Sequence, residues 1–143
     1  MVDTIDAFRG RYNWLSNFYA CNMRWHNLPF PTLEHAFQWE KLVVPTEKER
    51  VFYARTPGEA KQIARRGKMR DDWDSIKDTV MYHLLLYKFS LQPLQSNLLA
   101  TDHAILIEGN TWGDQYWGIC RGVGLNRLGD LLMEVRAYYR GDV

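Results

Sequence analysis

Between residues 73 and 91 large apolar side chains recur at three- and four-residue steps: Trp73, Ile76, Val80, Leu84, Tyr87 and Leu91. That spacing returns side chains to one face of a 3.6-residue helix and predicts the clearest helix of the chain, ended by Pro93. Upstream, residues 8–30 alternate aromatic and polar groups around Gly10 and Pro29 without a sustained helical period, which predicts short strands and loops. Thr32 then reads as an N-cap, with Glu34 in the first turn where a carboxylate suits the dipole. This helix is expected to run to about Val44 and stop before Pro45. A second helix is predicted from Thr46 to about Ala54, and a third starts at "TPGEAKQIARR", with Pro57 early and Gly67 closing it. A short helix through Leu98 and Leu99 follows Pro93, and "AILIE" over residues 104–108 has strand composition. The last third holds a glycine-rich aromatic segment, "GNTWGDQYWGICRGVG", leading into "LNRLGDLLMEVRAYY". There Leu125, Leu128, Leu132, Val135 and Tyr139 can share one buried stripe. With no repeat or linker, the expectation is a single compact domain over residues 1–143, mainly α with a small β element, of α+β class.

Composition narrows what such a domain can do. At 143 residues the chain can bury a core without disulfides or metals. Six tryptophans and eight tyrosines exceed what a core of this size needs, so some aromatic rings are available to line a pocket. A net charge of +1 gives no global attraction to nucleic acid or membrane. Cys21 and Cys120 lie far apart with no C-x-x-C pattern, and the four histidines lack H-x-x-x-H spacing. Neither a metal nor a cofactor is implied, and both cysteines are expected to be reduced and structural. The acidic start, "MVDTIDAFRG", lacks a basic, apolar leader, and no run of about 18 apolar residues appears. A cytoplasmic location without membrane partners is expected; protein partners are unspecified.

Candidate chemistry starts with "TLEHAFQWEK", residues 32–41. At about 100° per residue, Glu34, Gln38 and Lys41 fall within about 60° of one another, a polar stripe on a helix whose other sides carry Ala36, Trp39 and Leu42. Such a stripe faces either solvent or a cleft. In the glycine-rich segment, Trp112, Tyr116 and Trp117 stand among five glycines, where flexible backbone can bring flat rings around a planar base or simply plug a core. Asp114 is a carboxylate there without a visible local partner. "RGVGLNRLG" precedes a helix, so its N–H groups can hold a phosphate, although its glycine spacing is not the dinucleotide fingerprint. Lys61, Arg65, Arg66, Lys68 and Arg70 form a basic cluster that reads as a solvated face, partly neutralised by Asp71, Asp72 and Asp74. No G-x-S-x-G elbow exists, which leaves carboxylate and amine chemistry: Glu34 as general base or charge stabiliser, Lys41 as a nucleophilic amine.

Four blocks in order carry a resemblance: "WLSNFY", "TLEHAFQWEK", "EAKQIARRGKMRDDWD" and "GVGLNRLGDLLMEVR". Together they resemble the NADAR superfamily, also called the YbiA-like family, nearly end to end. The resemblance implies a mainly helical domain with a small sheet and N-glycosidase chemistry on ribosylated nitrogen compounds. Such enzymes remove ADP-ribose from guanine bases or act on phosphorylated ribosylamino intermediates of riboflavin synthesis. The glutamate and lysine of the family's E-H-x-x-Q-x-x-K helix match Glu34 and Lys41, with Asp114 counted beside them in the catalytic set. Implied substrate contacts are Asn17, Phe18, Gln38, Trp112 and Asp114. Arg9, Gly10 and the loop over 122–126, with Gly124 and Asn126, are expected to hold phosphates, and Trp112 or Trp117 to stack on the base. The expected partner is therefore ADP-ribosylated guanine, free or in nucleic acid, or a ribosylated small molecule. A non-catalytic ADP-ribose or nucleotide-binding module and a purely structural interaction protein are the competing readings.

Overall fold

The computed structural model describes residues 2–142, which fall into two compact units, one of residues 17–88 and one of residues 2–16 with 89–142. In the first, α1 (Leu33–Lys41) starts as expected: the Thr32 hydroxyl accepts the His35 N–H at 3.1 Å. Six consecutive residues, 33–38, are buried, because strands and helices pack on several sides of α1. A hairpin, β2 (Ala20–Trp25) with β3 (Leu28–Thr32), lies against it, as do α2 (Pro45–Phe52), α3 (Pro57–Arg65) and α4 (Trp73–Lys88). The hairpin turns through His26 and Asn27, both at positive φ, the pair of left-handed residues that a tight two-residue turn requires. α1 ends three residues before the expected Val44, since Leu42 is already extended and Val44 precedes a proline. Pro57 opens α3 behind the Thr56 cap, and Leu42, Val51, Ala54, Ala60 and Ala64 form a core cluster beside Trp39 and Ile63.

In the second unit, β1 (Thr4–Ile5) pairs in parallel with β4 (Ile105–Leu106), and β5 (Gly109–Asn110) in parallel with β6 (Ile119–Cys120). A 3₁₀ helix (Gly10–Leu15), α5 (Leu94–Ala100) and α6 (Arg127–Arg140) complete it. Only two residues of "AILIE" pair as a strand. In α6, Leu128, Leu132 and Val135 are buried as expected, joined by Leu131. Leu125 instead precedes the helix and is exposed, because Asn126 takes a left-handed conformation that starts α6 after it, and Tyr139 is half-buried. Gly141, at φ 91°, closes α6 as a left-handed C-terminal residue. The chain is thus α+β, mainly helical with short ladders. No helix among the described residues is long and apolar enough to cross a membrane.

Candidate functional site

The stripe predicted on α1 is not a solvated face. Glu34 and Gln38 are buried, and Lys41 is half-buried at the end of the helix. The Glu34 N–H has no partner within its own helix and donates to the Asn17 carbonyl at 3.1 Å. One turn on, Gln38 Nε2 donates to Glu34 Oε2 at 2.6 Å, which fixes the carboxylate and the orientation of the amide. Gln38 Oε1 is thereby turned away from that bond, and neither it nor the buried Asn17 Oδ1 has a hydrogen-bond partner among the described residues. Asn17 Nδ2 faces Met81 Sδ at 3.6 Å. Two buried acceptors beside a buried carboxylate form an environment completed only by donors from outside the protein, water or ligand.

Burial pushes the Lys41 ammonium below the usual lysine range; Glu34 opposes that shift, and Arg65, Lys77 and Lys61 add to it. The backbone around Lys41 is clamped. Its carbonyl accepts the Arg70 N–H at 2.9 Å, and Lys48 Nζ donates to the carbonyls of Trp39 at 2.6 Å and Leu42 at 3.1 Å while standing over the Trp39 ring. Glu40 accepts from Arg70 at 2.9 Å and from Trp25 at 3.2 Å. A buried carboxylate and a partly desolvated amine thus share one face of a fixed helix, which is the equipment for acid–base or nucleophilic work at a carbon.

Asn17, Glu34, Gln38 and Lys41 are brought together within one unit, and Phe18, half-exposed, is the next residue after Asn17. The remaining candidates lie in the other unit. Arg9 is exposed, ahead of the 3₁₀ helix that Gly10 opens at φ 61°. Trp112 is 63% exposed, and Trp117 is half-buried, edge-on to Tyr116. Asp114 does have local partners: its Oδ1 accepts the N–H groups of Tyr116 and Trp117, tying its own loop. The buried Asn126 side chain accepts from the Glu108 N–H and donates to the Leu106 carbonyl. Gly124 lies where a Cβ would come within 2.1 Å of the Gly118 carbonyl oxygen. The expected phosphate cradle at the start of α6 is filled by the chain itself. The N–H groups of Leu125, Asn126, Arg127 and Leu128 donate to the carbonyls of Gln115, Gly118, Tyr116 and Trp117. A cavity of about 690 Å³ in this unit is lined by Arg11, Tyr12, Trp14 and Asp102 among others, none of them a sequence candidate.

Periodicity alone did not single out Lys77 on α4, nor Lys88, a fully buried lysine 5.7 Å from the Tyr19 ring centroid. Lys61 and Arg65 carried a signal, their four-residue spacing on α3, but not the direction they face.

The NADAR domain family model matches residues 7–140. N-glycosidase YbiA of Escherichia coli is 39% identical over 143 residues, covering 95% of this chain and 89% of that protein. The riboflavin biosynthesis protein PYRR of Arabidopsis thaliana is 44% identical over 102 residues, 66% of this chain but 17% of that longer protein. The solved structure of Escherichia coli YbiA matches with a TM-score of 0.87 at 36% identity, over 99% of this chain and 88% of that one.

Proposed function

The chain belongs to the NADAR domain family and is a hydrolase of N-glycosyl bonds, and we propose that the bond it opens joins C1′ of ADP-ribose to guanine. The observation that carries the reading is the buried Glu34 carboxylate, held by Gln38 at 2.6 Å, with the unpartnered acceptors of Asn17 and Gln38 around it. Sugar hydroxyls are the donors such acceptors require. As the C1′–N bond breaks, its electron pair passes to the base nitrogen and positive charge develops on the ribose, where a carboxylate lowers its energy. Water then adds its hydroxyl to C1′ while Glu34 takes the remaining proton and passes it to the departing base.

Lys41 offers a covalent route through the same atoms. Its neutral amine attacks C1′ of the opened sugar, the base leaves with the C1′–N electrons, and the resulting imine is hydrolysed to return the amine and the free sugar. Similarity to the PYRR proteins favours a second substrate, a phosphorylated ribosylamino-pyrimidine, cleaved at the same type of bond.

Mass spectrometry of products from ADP-ribosyl-guanosine and from a ribosylamino-pyrimidine phosphate tests the reading. Turnover of the first, reduced about 10²- to 10⁴-fold in Glu34→Gln with the fold retained, is expected. Turnover of the second alone selects the riboflavin-type substrate, and full activity of Glu34→Gln removes Glu34 from the chemistry.

A further inference from the structure

Lys41 Nζ makes no hydrogen bond or ion pair among the described residues, although the backbone around it is held from several sides. An amine on a flexible four-carbon stem reaches a carbon reproducibly only if the Cα that carries it is fixed. The fixing comes from α2. In a helix continued to Val44, as the sequence predicts, the Val43 N–H would donate to the Trp39 carbonyl. It donates instead to the Lys68 carbonyl at 3.3 Å, and Lys48 takes its place. Lys48 Nζ donates to the carbonyls of Trp39 at 2.6 Å and Leu42 at 3.1 Å, and stands 3.6 Å from the centroid of the Trp39 ring. The preceding residue, Glu47, accepts the Lys68 N–H at 2.9 Å and so holds the neighbouring segment from which the Arg70 N–H reaches the Lys41 carbonyl at 2.9 Å. α1 therefore ends at Lys41 with a carbonyl on either side bound to Lys48 and its own bound to Arg70. Lys48 does this without setting the charge of the amine. The groups that act on the Lys41 ammonium are Glu34, Arg65, Lys77 and Lys61, whereas Lys48 answers to Glu40 and Arg70.

We propose that Lys48 is a positioning residue for Lys41: by replacing the intrahelical donor at the end of α1, it fixes the point from which the amine reaches the reacting carbon. That this carbon is C1′ of a sugar rests on the glycosidase reading above; the clamp itself does not.

The test compares the intact wild type with Lys48→Met, which keeps the stem and loses the donors, and Lys48→Arg, which keeps donors for both carbonyls. On whichever of the two substrates is cleaved, Lys48→Met is expected to lower kcat about 10²-fold with KM within about threefold of the wild type, and Lys48→Arg to keep kcat within about fivefold. Labelling of Lys41 in substrate-free protein by glycolaldehyde and cyanoborohydride, read by peptide mass spectrometry, is expected to stay within about threefold in Lys48→Met, because the amine keeps its chemistry and loses its aim. Hydrogen exchange of the Arg70 N–H is expected to rise about tenfold or more in the same variant, with the Phe37 amide, in the middle of α1, unchanged. Unchanged kcat in Lys48→Met, or an equal loss in Lys48→Arg, overturns the proposal. So does labelling that falls in step with kcat, since Lys48 would then tune the amine rather than place it. Should Lys48→Met fail to fold, Lys48→Gln, too short to reach both carbonyls, replaces it, with a loss of about tenfold or more in kcat expected. If the wild type cleaves neither substrate, the glycosidase reading fails and exchange alone decides the clamp: unaltered Arg70 exchange in the Lys48 variant overturns it.

Discussion

Lys41 shows how a residue's chemistry is set by its surroundings. In water its amine would be protonated at neutral pH and inert as a nucleophile. Here burial disfavours the charged form, three neighbouring cations add to that, and the Glu34 carboxylate works against it. The balance leaves more neutral amine than an exposed lysine has. Borohydride added during turnover is therefore expected to trap an adduct at Lys41 whose mass includes the sugar, and Lys41→Arg, which keeps the charge but not the nucleophile, to abolish it. Activity without any trapped adduct would leave direct hydrolysis from Glu34 as the route. The grouping of Glu34, Gln38 and Lys41 was legible from a 3.6-residue period, because angles around a helix follow from numbering alone. Their burial was not, since it depends on a hairpin and three helices that close around α1 from other parts of the chain.

Elements were legible where their boundaries are local. Thr32, Thr56 and Pro57 mark helix starts by caps and fixed φ, and all three do so in the structure, whereas Pro45, read as a stop ahead of a helix from Thr46, is itself the first residue of α2. The β2–β3 turn was hidden because His26 and Asn27 adopt left-handed conformations without a glycine between them to announce the turn. Gly129 lies inside α6, within the stretch expected to be helical, but the sequence pattern offered no reason for a glycine there, which the fold supplies: a Cβ would come within 2.0 Å of the Leu106 carbonyl oxygen. Its purpose is to let α6 approach β4 closely. This reverses the usual sign of a substitution: glycine to alanine in an open helix stabilises by about 1 kcal/mol. Gly129→Ala is expected to destabilise by about 1–3 kcal/mol, because a strand carbonyl and the Asn126 side chain must move. Denaturant unfolding checks it, and a gain in stability would show that the helix has room to shift.

The molecule as a whole shows where sequence patterns stop being informative. Lys88 and Phe89 both fall inside the one helix that the apolar spacing over residues 73–91 predicts, yet the compact units part between them; which contacts close a unit is decided by residues distant in the chain. His35 ties such distant parts within its unit, and through them it links global stability to pH. Its Nε2–H donates to the Ala54 carbonyl at 3.0 Å, so in the neutral ring Nδ1 is the acceptor of the Thr32 hydroxyl at 2.7 Å. Burial lowers its pKa below the ordinary imidazole value, against the opposing pull of the Ala54 carbonyl and the Glu59 charge. The unfolded chain therefore takes up a proton at a higher pH than the folded one. The stabilisation from a neutral His35 is complete above about pH 6.5 and is lost as the pH falls through the lowered value. One proton sets the limit, about 1.4 kcal/mol per pH unit. The other three histidines are exposed, and the lowered pKa of Asp72 acts only at more acidic pH. Denaturant unfolding of the wild type between pH 7.5 and about 5 is expected to show stability falling with pH, and His35→Gln a flatter profile from a lower starting stability. Parallel profiles would mean that His35 is protonated as readily in the folded protein as in the unfolded chain, and that the Thr32–His35–Ala54 link survives the added charge.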